Sequence, residues 1–233
     1  MTARRRPAAI KPRPRPRGGE AKRDVTRRHL LDTALALFQA RGVEATTMRD
    51  IARAAGLSLG AAYYHFPSKD ALIFAYYADT QAALDDLAAQ ATGTPHQRLA
   101  ALLHDRLDVL APHRAMLASI VHRVVNPGDP LSALSVESRA IRDRAIGHFT
   151  AALAGTGLPD DVRALACEAL WLVAMALLLV FVNDTSRGQA KSHGLIDDVL
   201  ALVMPMLPIL ATPMGRGLCQ RIAAMLTKAG VSA

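Results

Sequence analysis

The side chains best suited to chemistry stand between positions 47 and 69. Tyr63, Tyr64 and His65 follow one another, Phe66 comes next, and Lys69 closes the group. Thr47 and Arg49 lie upstream, with Ser58, Leu59, Gly60 and Ala61 between. The chain has five Phe, four Tyr and one Trp in 233 residues, so three aromatics within four positions is a concentration. Hydroxyl, imidazole, ammonium and guanidinium groups donate hydrogen bonds to anionic oxygens, and small residues let a backbone come close to a surface. The same set is poorly suited to catalysis. The chain has no clustered acid pair, no nucleophile beside a base and no glycine-rich phosphate loop, so an enzyme built on a helical bundle is not expected. No CxxC pair and no two His at i,i+4 occur, so neither a metal site nor a cofactor is expected. Cys167 and Cys219 stand far apart in apolar or helical surroundings and read as reduced thiols of a cytoplasmic protein.

The elements that must carry these groups follow from apolar spacing. Leu30, Leu31, Ala34, Leu35 and Phe38 form one stripe at helical period from Thr26, and Gly42 stops it. Thr47 followed by Asp50 is a capping-box pair, so a second helix starts there and buries Met48, Ile51, Ala52 and Ala55. Gly56 suits a left-handed turn, Ser58 caps a third helix and Pro67 ends it. Two short helices joined by a glycine turn make a helix-turn-helix. On the second of them Ala62 and Phe66 share the inward face. Gly60, Ala61 and Tyr64 then point away, with Tyr63 and His65 on the flanks and Leu59 ambiguous. That is the form of a recognition helix, with small residues near base edges and donors further along for phosphates. The rival reading makes the tyrosines a packing cluster with Phe66, Phe74, Tyr76 and Tyr77. For Arg49 the alternative is a solvated charge paired with Asp50 or Asp32.

The segment RRHLLDTALALFQARGVEATTMRDIARAAGLSLGAAYYHFPSKDAL, residues 27–72, resembles the DNA-binding domain of the TetR family of transcriptional regulators. The shared elements are LF-x-x-x-G, TT-x-x-x-IA-x-x-AG and S-x-G-x-x-Y-x-HF-x-SK-x-x-L. Ala62 departs from the pattern, standing where the family has a larger aliphatic residue. The resemblance implies an all-α fold, with a three-helix DNA-binding head followed by a larger helical ligand-binding and dimerisation domain. It implies that Thr47 donates to a phosphate and that Arg49 reads guanine. Ser58, Leu59, Gly60 and Ala61 would meet base edges and nearby phosphates, and Tyr63, Tyr64, His65 and Lys69 would hold phosphates. It also implies a long helix from Ser68 to about position 91 that carries motion from a ligand domain to the head.

Beyond that helix the sequence predicts helices over 95–110, 114–125, 131–153, 160–182, 195–210 and 216–229, punctuated by proline and glycine. The resemblance makes the fourth and fifth of these the dimer interface, with Leu195, Val199, Leu202 and Met206 as one seam. An aliphatic pocket lined by Leu103, Leu107, Met116, Trp171, Met175 and Leu178 is expected, with polar contacts available from His104, His113, His122 and Arg123. The longest apolar run, residues 169–182, is shorter than the roughly 20 residues needed to cross a bilayer, so no membrane partner is expected. The N-terminus lacks the apolar stretch of a secretory signal.

The formal net charge of +8 is localised. Residues 1–28 carry eleven Lys or Arg and two acids, and the remainder is close to neutral. The segment RRRPAAIKPRPRPRGGEAKR alternates arginine with proline, which predicts an extended basic arm over residues 1–22. An arm of this kind grips DNA phosphates or serves as a solubilising extension. The division expected is thus an arm to 22, a helix-turn-helix head over 23–70 and a ligand-binding and dimerisation domain over 71–233. The function expected is a homodimeric repressor of a palindromic operator, released by a small hydrophobic or amphipathic effector. Its rivals are a sequence-independent architectural DNA-binding protein driven by the arm, and a ligand carrier with a vestigial head.

Overall fold

The computed structural model describes residues 18–228, with side chains from residue 21 onward, and these residues form helices joined by turns with no strand among them. Helix α1 spans Gly18–Arg41, α2 Met48–Ala54 and α3 Leu59–His65. The apolar stripe of α1 meets Val43, Ile51, Ala52, Ala62 and Phe66 in one core, where Leu30, Ala34, Phe38, Ile51 and Ala62 have no exposed surface. Gly42 ends α1 at φ 84° and Gly56 joins α2 to α3 at φ 67°, both left-handed. The capping box forms as the sequence predicts. The Thr47 side chain accepts from the Asp50 N–H at 3.1 Å, and the Asp50 carboxylate accepts from the Thr47 N–H at 3.1 Å.

The long helix α4, Lys69–Gln90, leaves the head under a Ser68 cap. Helices α5 Pro95–Leu110, α6 Arg114–Val124, α7 Arg139–Ala152 and α8 Asp160–Asn183 pack with it to build the body. Helices α9 Ala190–Val203, α10 Met206–Leu210 and α11 Pro213–Lys228 follow along one side. Arginines close exposed helix ends. Arg98 donates to the carbonyls of Ala152 and Ala154 at the end of α7, and Arg114 donates to Val182 and Asp184 at the end of α8. Gln39 ties head to body, donating to the Pro112 carbonyl at 2.7 Å and accepting from the Met116 N–H at 3.0 Å.

Four sequence expectations need correction. Helix α1 begins at Gly18, eight residues before Thr26, so residues 18–22 are helical and not extended arm. The rest of the arm, residues 1–17, lies outside the described residues. The helix expected over 131–153 starts only at Arg139, because serines capture the preceding backbone. Ser135 Oγ donates to the Pro130 carbonyl and accepts from the Ser138 N–H, and Ser132 Oγ accepts from the Leu134 N–H. The helix expected over 195–210 starts at Ala190 and breaks between Val203 and Met206, where Pro205 cannot continue the ladder. The final helix begins at Pro213 instead of Arg216.

By length and composition two segments suffice to cross a membrane, Asp160–Asn183 and 187–210. The first exceeds the uninterrupted apolar run because its helix continues through Arg163 and Glu168, and it packs against α6, α7, α9 and α11. The second is interrupted at Gly188 (φ 62°), Gln189 (φ 53°) and Pro205.

Candidate functional site

The outer face of the head is built from α3 and the basic N-terminal half of α1. On α3, Ala62 and Phe66 are buried, which turns Tyr64 outward at 70% exposure and Tyr63 at 48%. The Ser58 side chain accepts from the Ala61 N–H at 3.1 Å, holding the first turn. Gly60 and Ser58 are exposed, and Leu59 and Ala61 are half-buried. No atom lies within 4 Å of where a Cβ on Gly60 would stand, so the start of α3 is open to a close-approaching surface. His65 is half-buried, with its ring edge-on to Tyr64 at 5.2 Å. The aromatic packing cluster exists elsewhere. Phe74, Tyr76 and Tyr77 on α4 pair at 6.4 and 5.9 Å, and Tyr63 and Tyr64 stay out of it.

Arg49 is exposed and has no ion-pair partner among the described residues. The carboxylate of Asp50 goes instead to Arg41, at 3.0 Å. Hydrogen bonds from the Thr47 side chain and backbone, helped by Arg41, hold the Asp50 carboxyl below the usual range. The Thr47 hydroxyl donates to Asp50 at 2.7 Å, so it stays in its own cap. Lys69 also turns inward, donating to the Val43 carbonyl at 2.8 Å with Glu44 at 3.9 Å, and thereby pins the start of α4 to the α1–α2 connection. Two residues of this face escaped sequence reasoning. Arg23 lies over the Tyr64 ring at 5.7 Å, and Arg27 over the Phe66 ring at 4.4 Å. Their signal was the helical spacing of Lys22, Arg23 and Arg27, hidden when the basic residues were counted as an arm.

A second site lies inside the body. A cavity of about 810 Å³, its mouth included, opens between α4, α5, α6, α7, α8 and residues 131–138. Of the expected lining, Leu107, Trp171, Met175 and Leu178 face it. Leu103 and Met116 do not, since both are spent in the core at 1% and 0% exposure. The expected polar contacts also go elsewhere. The ring of His104 stacks on His193 at 5.0 Å and bonds Asp197, His113 sits edge-on to Tyr76 at 4.9 Å, and His122 faces solvent. Burial, opposed by Asp32, lowers the His113 pKa. Arg123 turns away from the cavity to pair with Asp70 at 2.9 Å and Asp129 at 2.8 Å. Those hydrogen bonds raise the arginine pKa and lower that of Asp129.

The polar groups that do line the cavity are Thr80 and Gln81 on α4, Arg106 on α5, and Ser138 and Arg142 near the start of α7. Arg106 is 6% exposed, and its Nε and Nη2 have no hydrogen-bond partner. Gln81 is 5% exposed and its Oε1 is likewise unpartnered. Sequence reasoning passed over Arg106 because an arginine on an amphipathic helix is ordinarily solvated.

Known proteins bracket both sites. A family model described as "Bacterial regulatory proteins, tetR family" matches residues 30–76. Another, "Tetracyclin repressor-like, C-terminal domain", matches residues 98–212. The HTH-type transcriptional repressor KstR2 of Rhodococcus jostii is 53% identical over 47 residues, covering 20% of this chain and 23% of the relative. KstR2 of Mycobacterium tuberculosis is 33% identical over 102 residues, covering 39% and 47%. The chain thus aligns with less than half the length of these curated relatives. Among solved structures, a TetR-family regulator from Streptomyces coelicolor superposes with a TM-score of 0.59 at 22% identity, covering 86% of this chain and 89% of the other. FadR of Thermus thermophilus, a TetR-family repressor in complex with lauroyl-CoA, gives a TM-score of 0.55 at 22% identity, covering 75% and 93%. At that identity the likeness shows the fold. With head and body each matched to its own family model and the helices arranged as in solved members, the chain belongs to the TetR family of bacterial regulatory proteins.

Proposed function

We propose that this chain is a one-component transcription repressor that binds a palindromic operator as a homodimer and releases it when a hydrophobic or amphipathic molecule fills the body cavity. The observation that carries the reading is the outward face of α3. A cap, a buried Ala62–Phe66 edge and an open Gly60 hold Tyr63 and Tyr64 in solvent, and Arg49 on α2 is exposed with no ion-pair partner among the described residues. An apolar ring left exposed costs free energy in a protein that meets only water, whereas a tyrosine offered to a phosphate uses both its ring and its hydroxyl.

Dimerisation is supported by the apolar surface of the last helices. Leu179 on α8, Leu202 on α9, Met206 and Ile209 on α10, and Met214 and Leu218 on α11 are 40–86% exposed. The opposite face of α9 is buried through Ser192, Ile196 and Leu200; of the expected seam, Leu202 and Met206 are exposed while Leu195 and Val199 are half-buried. Apolar area on this scale fits a subunit interface.

Control by a ligand is supported by the α6 helix. Its Leu117 and Val124 line the cavity, while Arg123, next to Val124, holds Asp70 in the first turn of α4, directly after the recognition helix. A ligand that displaces α6 therefore acts on the connection between α3 and α4, to the extent that it binds one arrangement better than the other.

Selection of genomic DNA fragments by the full chain at near-physiological salt tests the reading, with Arg49→Ala and removal of residues 1–17 in parallel. The expected result is an inverted repeat that survives loss of the arm and is relaxed by Arg49→Ala. Enrichment without a motif, lost with the arm, would favour the architectural alternative.

A further inference from the structure

The body cavity has mostly apolar walls with two arginines in them, of which Arg142 is half-buried and donates to the Ala133 carbonyl at 3.0 Å, whereas Arg106 is sealed. Arg106 reaches toward the Phe149 ring at 5.9 Å, and no acidic side chain among the described residues lies within ion-pair distance. Burial lowers its pKa only to about 10, so it remains a cation at neutral pH. A buried cation without a counter-charge is among the costlier arrangements a fold can keep, and it is removed when an anion arrives. The two nitrogens without partners, Nε and Nη2, lie on the same edge of the guanidinium and have essentially no accessible surface, so a ligand reaches them only by turning this edge into the cavity. Their two N–H bonds run parallel, at the spacing of the two oxygens of a carboxylate.

We propose that the effector is a monocarboxylate with an apolar body, its carboxylate held bidentate by Nε and Nη2 of Arg106 and its body against Leu107, Trp171, Met175 and Leu178. The inference rests on the reading above, in which this cavity receives the effector, and adds the chemical class. A phosphate fits less well, because the fork meets only two of its oxygens, and the other lining guanidinium, Arg142, already donates to the Ala133 carbonyl. A thioester of a bulky phosphorylated carrier also fits less well, because it presents a neutral group to the buried cation.

The test uses the full-length protein, decanoate, decan-1-ol, methyl decanoate and decanoyl-CoA, with thermal shift and calorimetry as readouts. The wild type is expected to bind decanoate at least about tenfold more tightly than the alcohol or the methyl ester. Arg106→Met is expected to keep or raise the melting temperature of the free protein and to bind acid and alcohol equally. Arg106→Lys, which keeps the charge and loses the fork, should keep the fold and lose most of the preference for the acid. Equal binding of acid and alcohol by the wild type would overturn the proposal. So would failure of all four to bind below millimolar concentration, a preference for decanoyl-CoA, or a melting temperature that falls sharply in Arg106→Met while Arg106→Lys binds acid like wild type. Operator binding by the same samples without ligand separates the two claims. If it persists while carboxylates fail, the regulator reading stands and only the ligand class falls.

Discussion

Arg49 and Tyr64 are both exposed but should fail differently. Arg49 has no partner among the described residues, so its fork is free for a base edge. Arg49→Ala should cost about 1–3 kcal/mol of discrimination between operator and scrambled DNA. Tyr64→Phe, which keeps the ring under Arg23 and removes only the hydroxyl, should weaken binding to both DNAs alike. Competition binding against the scrambled fragment distinguishes the two. Asp184 sets a residue-scale test of stability. It accepts from the side chains and backbone N–H groups of Ser186 and Ser192 at 2.6–2.8 Å, tying the end of α8 to the start of α9. Those side-chain hydrogen bonds hold its carboxyl well below its ordinary value of 3.8. Its contribution is therefore full above that value and is lost as pH falls toward the depressed folded value. Asp184→Asn should melt lower than wild type at pH 7, and the gap between the two should close progressively below about pH 4.

Among the elements, the α2–α3 turn is the tightest constraint on the recognition helix. Gly56 sits at φ 67°, and an L side chain there costs about 1–2 kcal/mol. Gly56→Ala should lower stability by that amount in urea melts and reduce operator affinity with it, although no atom blocks the added methyl. This turn was legible in the sequence, as were the Thr47–Asp50 capping box and the Ser58 and Ser68 caps, because each depends on residues a few positions apart. What escaped depends on distant or competing partners. Residues 131–138 have apolar spacing compatible with a helix, but Ser132 and Ser135 hydrogen-bond the backbone first. Helix α9 starts early because Asp184, several residues before it, caps Ser192. The break at Pro205 was readable and was overridden by the apolar stripe on either side of it. In the cavity, Leu107, Trp171, Met175 and Leu178 were found by hydrophobicity, and Arg106 was missed because one strand of sequence does not say which helix face meets a void.

Across the whole molecule, two features join the parts. The first is the Arg123 node, which links cavity helix α6 to Asp70 at the head of α4 and to Asp129 in the loop beyond. Arg123→Met should leave the head able to bind operator while reducing the ligand's effect on that binding, read as the ratio of operator Kd with and without ligand. A ratio equal to that of wild type would place the coupling elsewhere. The second is the exposed apolar face of α8 to α11. Leu202→Asp, at a site 68% exposed in one subunit, should leave helical content unchanged and give a monomer in sedimentation, with operator affinity lost. The central claim is that two such heads read two half-sites, and hydroxyl-radical footprinting of the selected fragment tests it most directly. Two protected patches on one face of the duplex, centred about one helical turn apart at roughly 34–36 Å, are the predicted result. A single patch, or protection spread evenly along the fragment, would contradict it.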